Sequence, residues 1–514
     1  MWFIVLCVVL SALFYWKVVR NYSHWKNKGI PYIRPIYFFG NFASNIFRIK
    51  SLKTIVEEAY DAFPNKRYVG LYQFMKPILL VRDTELIKQI TIKDFDVFPE
   101  HPPRVSARTD PLFGKNLFAL PSKDGWHEMR ATLSPVFSSG KMKVMFTLME
   151  QCAVQFVDYF KQTQSNAQSN VSIELKDIFE RFANDIIATT AFGITCDSLK
   201  DKKNEFFLMG QDVTNLNGIR ALKFFGYAFS SFLMELLNVK IVSEKVGNFF
   251  RNVIKETIAF RKDKNIIRPD VVQILMKARE EGNKNSNAKR NHNVELSDED
   301  VTSQALGFFA AGFGTVSSAL SFLAYDLATH PEIQQKLYEE ISTTLKTNSG
   351  DITYELVTSM KYLDCVISES LRMHAPLSFL DRMSVKPYTI HPKDSSEKPL
   401  HLEEGSVIWF PASSLHHDKK YFPNPDKFDP ERFNEQNKHK INSYAYLPFG
   451  AGPRSCIASR FALLEMKLLI LHLLERFELV PDAKTTIPLK LSITNITTIP
   501  SEGIWLSLKP RIKN

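Results

Sequence analysis

The segment from Phe449 to Cys456 constrains the fold of this chain more than any other. It places one cysteine at the end of a glycine-containing loop, directly before the apolar run from Ile457 to Phe477. The run predicts a buried helix, and the start of a helix stabilises a thiolate through unpaired N–H groups and the positive end of the dipole. A lone cysteine is more often a buried core residue. The ordered residues around Cys456 favour a thiolate that binds a metal.

Two other features of this loop suit a flat, anionic ligand. Gly450 and Gly452 would let the backbone approach such a ligand closely, and Arg454 could neutralise an anionic substituent on it. Together with the cysteine, these features suit a thiolate ligand for haem iron.

Four motifs carry a resemblance to a known family. The segment 449–456 resembles the haem-binding signature F-x-x-G-x-R-x-C of the cytochromes P450. The segments 369–372, 430–433 and 126–130 are similar to the family's E-x-x-R, P-E-R-F and W-x-x-x-R motifs. Their order and separations also fit, so the resemblance covers roughly residues 30 to 510.

The resemblance implies a mainly α fold with small β-sheets, formed by a single large domain behind an N-terminal membrane anchor. It implies haem b with an axial thiolate from Cys456. Ala458 stands where the family usually has glycine, and we expect this methyl group to leave the ligation intact. The residues that the resemblance assigns to haem binding are Trp126, Arg130, Arg382, Phe449, Arg454 and Cys456.

A second stretch, Ala311 to Thr315, is expected inside a long helix. Ser297 and Asp300 predict a capping box at its start, and His330-Pro331 predicts its end near Thr329. Ala311, Gly312 and Thr315 can share one helix face and form a groove for a flat ligand. Close helix packing is the alternative reason for its two glycines.

The stretch resembles the family's oxygen-binding segment A/G-G-x-D/E-T, in which Thr315 would help to deliver protons to dioxygen. Gly314 departs from that pattern, because an acidic residue normally precedes the threonine. General acid catalysis typically contributes roughly 10²–10⁴-fold, so the missing acid bears on the rate. Three consequences of the missing acid remain open: a water chain through Thr315 delivers the proton, the coupling of NADPH use to product is poor, or a substrate group helps.

Glu369 and Arg372 could pair on one helix face, which alone is weak evidence because exposed pairs of this kind are common and contribute little. Arg432 follows at a family-like separation. The resemblance implies that the three residues form a buried network bracing the cysteine loop.

Composition favours one globular domain. The chain has 514 residues, 45% of them hydrophobic, and no long linker divides it. Strand-like pieces such as Tyr68 to Gln73 and Ile78 to Val81 are few, whereas helical periods are many. The stretch from Glu280 to Asp300 is predicted to be an exposed loop. Five scattered cysteines indicate neither a disulfide framework nor a zinc site.

The N-terminus predicts a retained membrane anchor at residues 1–20, a basic and proline-rich linker at 21–36 and a catalytic domain at 37–514. A cleaved signal peptide is the alternative, but no basic region precedes the apolar run. Basic residues follow the span, so the positive-inside rule places the domain in the cytosol. The resemblance to anchored microsomal members of the family implies the endoplasmic reticulum membrane.

The net charge of +10 does not indicate nucleic-acid binding, because no long basic run or aromatic RNA-binding motif accompanies it. A solvated or membrane-facing surface and a partner surface remain equally good explanations. The resemblance places five basic residues on the thiolate side of the haem, where they could steer an acidic electron donor. These residues are Arg130, Lys141, Lys143, Arg460 and Lys467.

Substrate contacts are expected from five segments, namely 104–120, part of 206–232, 303–309, 375–380 and 492–498. Each of their phenylalanines could equally be an ordinary core residue. The aromatic residues in question are Phe113, Phe118, Phe224, Phe225, Phe308, Phe309 and Phe379.

The sequence therefore predicts a haem-thiolate monooxygenase that inserts one oxygen atom of dioxygen into a lipophilic substrate such as a xenobiotic, a hormone or a lipid. Thr315, Gly312 and Ala311 would form its catalytic segment. Electrons would come from NADPH through NADPH-cytochrome P450 reductase, with cytochrome b5 as a second donor. Several stretches look most like insect microsomal members related to detoxification and hormone modification. An isomerase or dehydratase that does not activate dioxygen, and a non-enzymatic haem-thiolate sensor, are the alternatives.

Overall fold

A computed structural model of the chain describes residues 2–5, 9, 15, 21–102, 105–165, 171–215, 218–268, 270–285, 296–493 and 497–511. The α-helices in chain order are α1 His24–Asn27, α2 Ala43–Ile46, α3 Leu52–Asp61, α4 Thr84–Lys88, α5 Pro111–Gly114, α6 Trp126–Leu133, α7 Ser139–Ser165, α8 Leu175–Ile187, α9 Glu205–Thr214, α10 Ile219–Phe229, α11 Ser231–Leu236, α12 Glu244–Lys264, α13 Val271–Asn285, α14 Asp298–Thr329, α15 Pro331–Thr347, α16 Tyr354–Ser359, α17 Lys361–Met373, α18 Ala412–His416 and α19 Ser459–Arg476.

The strands are short and lie beside this helical body. They are β1 Tyr68–Gln73, β2 Lys76–Val81, β3 Val171–Glu174, β4 Leu380–Met383, β5 Tyr388–Ile390, β6 Leu400–Leu402, β7 Val407–Phe410, β8 Phe477–Pro481 and β9 Trp505–Pro510. One sheet has the order β1-β2-β7-β4, a second has the order β3-β9-β8, and β5 pairs with β6. The mainly α fold with small sheets is confirmed.

The β1–β2 hairpin was predicted nearly to its ends. β1 occupies the expected residues, and β2 begins two residues before Ile78. Tyr68 pairs with Val81, and Gln73 pairs with Lys76 across the turn. Ile78 then pairs in parallel with Val407 of β7, which joins the hairpin to the C-terminal half of the chain.

Helix α14 is the central helix of the molecule. It begins with the predicted capping box, in which the Ser297 and Asp300 side chains accept from each other's backbone N–H groups, and it ends at Thr329 as expected. By length and hydropathy, α14 is the one helix among the described residues that could cross a membrane, but 61% of its most apolar window is buried. It is a core helix that packs against α8, α12, α17 and α19.

The prediction of an exposed loop from Glu280 to Asp300 was wrong at both ends. Helix α13 continues through Asn285, and α14 starts at Asp298. Polar residues also occur at the solvent-facing ends of helices. Polarity alone therefore predicted a loop that was longer than the segment between the two helices. Residues 286–295 lie outside the described part of the chain.

Most of the predicted anchor also lies outside the described residues. The predicted linker at 21–36, by contrast, packs on the first sheet. The Trp25 indole donates to the Leu71 carbonyl at 2.9 Å, and Trp25 is 2% exposed. The Tyr22 hydroxyl donates to the Phe74 carbonyl at 3.1 Å. This segment is therefore bound to the catalytic domain.

Candidate haem site

The cysteine loop is closed by a backbone hydrogen bond between its two ends. The Cys456 N–H donates to the Phe449 carbonyl at 2.8 Å. Gly452 has a φ of +74°, and a Cβ there would lie 1.9 Å from the Thr91 carbonyl oxygen. The close approach that this glycine permits is therefore to the protein's own backbone. The use of Gly450 and Gly452 by a flat ligand stays a prediction.

Cys456 is exposed to an internal cavity at the start of α19. Burial within the surrounding protein raises the pKa of its thiol, although the Ala458 backbone N–H and the Arg130 guanidinium act to lower it. The helix start therefore contributes in the expected sense but is outweighed by burial. A thiol that coordinates a metal is deprotonated by that metal, so the raised pKa is compatible with Cys456 as a metal ligand.

The backbone conformation at position 458 does not require glycine. The φ of Ala458, −101°, is accessible to any residue, and Ala458 directly precedes α19. The departure from the family signature is thus compatible with the backbone.

The predicted catalytic segment of α14 lines the same cavity as Cys456. Ala311, Gly312, Gly314 and Thr315 all border it. The Thr315 hydroxyl donates to the Ala311 carbonyl at 2.6 Å, which leaves the hydroxyl oxygen able to accept from a ligand or water. The cavity thus has a thiol and a hydroxyl-bearing helix on its wall.

Three arginines line this cavity near one another. The pKa of Arg454 is lowered to about 9, mainly by burial and also by the charges of Arg382 and Arg130, against the opposing effect of Glu100. Burial also lowers the pKa of Arg382 to about 10. Buried positive charges that repel one another create a site for an anion.

Arg454 and Arg382 both donate hydrogen bonds to backbone carbonyls, and one buried nitrogen of Arg382 is left without an acceptor in the described part of the chain. Arg454 donates to the carbonyls of Pro99, Leu117, Phe118 and Leu120. Arg382 donates to the carbonyls of Asp381 and Ala451, and its buried Nε has no partner among the described residues.

The Arg454 guanidinium lies 4.1 Å from the ring centroid of Trp126. Trp126 is 2% exposed, borders the cavity, and lies one helical turn before Arg130 in α6. A thiol, an orphaned guanidinium nitrogen and a cluster of cations around one cavity fit an iron porphyrin with two carboxylates.

Sequence reasoning missed His101 and Asp381 beside this cluster. The His101 Nδ1 lies 2.5 Å from Asp381 Oδ1, and the imidazole stacks on Phe118 at 4.8 Å. Burial lowers the pKa of His101, and Asp381 opposes that effect. Both residues border the cavity. His101 follows no motif in the sequence, so only the fold could bring it to this place.

The predicted network behind the loop is present. Arg372 makes a bidentate pair with Glu369, with Nε to Oε2 at 2.8 Å and Nη2 to Oε1 at 2.9 Å, and neither side chain is exposed. The Arg432 Nε lies 3.2 Å from Glu369 Oε1. A buried pair of this kind needs further hydrogen bonds to offset desolvation, and the carbonyls of His416 and Pro425 supply them to Arg372.

The cavity measures about 1810 Å³ and is lined by six of the seven phenylalanines expected to contact substrate. Phe309 is the exception. It is fully buried, stacks on Phe313 at 5.3 Å, and lies where a Cβ on Gly210 would be 2.0 Å from its Cζ. Phe309 therefore packs in the core, because successive residues of a helix point in different directions.

One of the five basic residues expected to face an electron donor does not do so. The Lys467 side chain is 6% exposed and its Nζ lies 2.6 Å from Asp364 Oδ1. Its expected role was wrong, because it lies on the buried side of α19. Lys141, Lys143 and Arg460 are exposed, and Arg130 is half-buried.

Comparison with known proteins agrees with this geometry. The family model described as Cytochrome P450 matches residues 31–506. The chain is 44% identical over 508 residues to "Cytochrome P450 9e2" of Blattella germanica, covering 96% of this chain and 94% of the relative. It is 39% identical over 521 residues to "Probable cytochrome P450 9f2" of Drosophila melanogaster, covering 99% of both. The chain therefore belongs to the cytochrome P450 family and is a haem-thiolate monooxygenase with haem b as its cofactor.

Proposed function

We propose that this enzyme inserts one atom of dioxygen into a bulky lipophilic substrate and takes its electrons from NADPH through a separate flavoprotein, NADPH-cytochrome P450 reductase. The observation that carries the proposal is the shared cavity, which has Cys456, Thr315 and several phenylalanine rings on its wall. Residues 1–514 contain no G-x-G-x-x-G nucleotide-binding motif, which supports electron supply by a separate partner. Cytochrome b5 is a second candidate donor.

Haem b, when bound, would supply the iron that activates dioxygen, and a thiolate ligand would supply electron density to it. Cys456 would provide that thiolate. Arg130, Arg382 and Arg454 would hold the propionates through charge-assisted hydrogen bonds. Trp126 would support Arg454 through its ring face, and Phe449 would pack beside the sulfur.

On the α14 side, the small Ala311 side chain would leave room for the flat group and for dioxygen, whereas the space beside Gly312 is taken by Ile187 of α8. Thr315 would accept a hydrogen bond from water at its hydroxyl oxygen while its own hydrogen is donated to the Ala311 carbonyl. Because Gly314 has no acid to offer, water in the open space beside it would carry the proton to Thr315. A Cβ at Gly314 would meet nothing within 4 Å, so this space exists.

The lining of the cavity favours apolar substrates. The haem would fill part of its volume of about 1810 Å³, and the substrate would occupy the remainder. Phe113 and Phe224 meet edge to face at 5.7 Å on its wall. We assign xenobiotics, hormones and lipid-like molecules as the substrate class.

We also propose that the enzyme is held at the endoplasmic reticulum membrane with its catalytic domain, residues 37–514, in the cytosol. Residues 1–20 would form the anchor and 21–36 the connection. Large apolar side chains that are exposed on the protein support membrane contact. They include Tyr37, Phe38, Phe47, Ile219, Leu222, Phe232 and Leu236.

A second candidate function is isomerisation or dehydration without dioxygen activation, which the glycine at 314 favours. Thr315 argues against it, because a hydroxyl in the cavity wall has no evident use in such a reaction. Purified enzyme with reductase, NADPH and isotopically labelled dioxygen separates the two. Label in the product supports monooxygenation, and unlabelled product formed without NADPH supports the second function.

A further inference from the structure

His416 uses its carbonyl and both ring nitrogens within the protein core. Arg372 Nη1 donates to the His416 carbonyl at 2.8 Å. In return, His416 Nδ1 lies 3.1 Å from the Arg372 carbonyl. The Leu447 backbone N–H donates to His416 Nε2 at 2.8 Å. The residue is fully buried.

This pattern specifies one form of the imidazole. Nε2 accepts a hydrogen bond, so it carries no proton, and Nδ1 must carry the hydrogen that it donates to the Arg372 carbonyl. Burial, together with the charges of His417 and Arg372, lowers the pKa of His416 to about 3. The neutral tautomer that the geometry requires is thus the form present at neutral pH.

Leu447 connects His416 to the cysteine loop. Its carbonyl accepts from the Gly450 N–H at 3.2 Å, and the Phe449 carbonyl accepts from the Cys456 N–H at 2.8 Å. Next to Leu447, the Tyr446 hydroxyl donates to the Ser368 carbonyl of α17 at 2.9 Å. The segment that leads into the loop is therefore connected to α17 at two successive residues, directly through Tyr446 and through His416 at Leu447.

We propose that His416 is a positioning residue that holds the cysteine loop against α17, so that the Cys456 sulfur keeps a fixed place relative to the iron. It does not contact the cofactor. It acts through Leu447, and it connects the buried Glu369–Arg372 pair to the loop. This inference rests on Cys456 being the thiolate ligand.

Two substitutions separate the two ring nitrogens. In His416→Gln the longer side chain can place an amide oxygen near the position of Nε2, which keeps an acceptor for the Leu447 N–H. In His416→Asn the shorter side chain can only replace Nδ1, which leaves that N–H without a partner. The adjacent His417 donates from Nδ1 to the Ser413 carbonyl at 2.9 Å and does not reach the loop, so His417→Gln is the matched control.

The measurement is the stability of the thiolate-type spectrum of the reduced carbon monoxide complex in purified holoenzyme, alongside haem content and reduction potential. We expect His416→Asn to lose this spectrum roughly tenfold faster than wild type. A buried Leu447 N–H without an acceptor should shift the equilibrium between the closed and the opened loop by about that factor. His416→Gln should stay within about twofold, and His417→Gln should match wild type.

Equal loss in both His416 variants would overturn the proposal, because it would show a general packing role, and so would retention in both. If neither variant folds, hydrogen exchange of the wild-type holoenzyme decides. The Leu447 amide should then be among the slowest amides of segment 441–456, and rapid exchange would overturn the proposal. A wild-type enzyme without the thiolate-type spectrum would instead refute the assignment of Cys456.

Discussion

The Ile187 side chain occupies the space beside Gly312, so that a Cβ on Gly312 would lie 2.9 Å from Ile187 Cδ1. Two residues further along α14, a Cβ on Gly314 would meet nothing within 4 Å. Gly312 and Gly314, the two glycines of the segment from Ala311 to Thr315, therefore serve different purposes. Gly312 allows α14 to pack closely on α8, whereas Gly314 leaves open space in the cavity wall.

Gly314→Glu should raise the product formed per NADPH consumed and lower peroxide release. The new carboxyl would stand beside Thr315 as a proton source, and general acids contribute roughly 10²–10⁴-fold when well placed. Gly314→Ala is the control, because it adds helix stability of up to about 1 kcal/mol without an acid. Coupling is measured on one oxidised substrate with haem content checked. Unchanged coupling in the intact Glu variant would show that Gly314 adapts the pocket and is not a defect in the relay.

Phe309→Ala should mainly reduce stability, whereas Phe308→Ala should mainly change ligand affinity. Phe309 is fully buried among aromatic rings, so its removal should cost about 3–5 kcal/mol of stability. Phe308 borders the cavity, so its removal should change the Kd of an apolar ligand by about threefold to tenfold with a smaller loss of stability. Thermal unfolding and ligand-induced spectral shifts measure the two effects. A similar profile for both variants would contradict the assignment of Phe309 to the core.

Lys141→Glu should raise the KM for reductase by about threefold to tenfold at low ionic strength, because an exposed charge acts mainly on the association of acidic partners. Added salt should reduce the difference. Lys467→Met should leave this KM unchanged, since Lys467 is buried against Asp364. Steady-state reduction kinetics check both. An equal effect of the two substitutions would argue against a partner surface at the exposed lysine.

Removal of residues 1–20 should release much of the enzyme from membranes and leave haem binding intact. Removal of residues 1–36 should in addition destabilise the domain by about 3–5 kcal/mol, because Trp25 fills the space over Gly70. Membrane fractionation and haem content of the two truncated proteins provide the measurement. Haem loss on removal of residues 1–20 alone would contradict the proposed boundary.

Much of the site was predictable from the sequence because it is encoded in short motifs whose members lie close in the chain. The capping box at Ser297, the Glu369–Arg372 pair and the cysteine loop are of this kind. Other features depend on which way a side chain points after packing. Phe308 and Phe309 are neighbours in sequence, yet only the first borders the cavity. Composition cannot distinguish them.

Contacts between distant segments were also beyond prediction. His101 meets Asp381 across 280 residues, and His416 meets Leu447 through a ring nitrogen. No spacing rule identifies such pairs. The pKa of Cys456 belongs to the same class, because the helix start acts locally while burial depends on the whole fold.

The most direct test of Cys456 as the axial ligand is the absorption spectrum of the reduced carbon monoxide complex of purified Cys456→Ala. Cys365 is the matched control, since it is buried in α17 and burial raises the pKa of its thiol to about 11. We expect Cys365→Ala to keep the red-shifted Soret band of a thiolate-bound haem, and Cys456→Ala to lose it. A red-shifted band that persists in Cys456→Ala would show that another residue holds the iron.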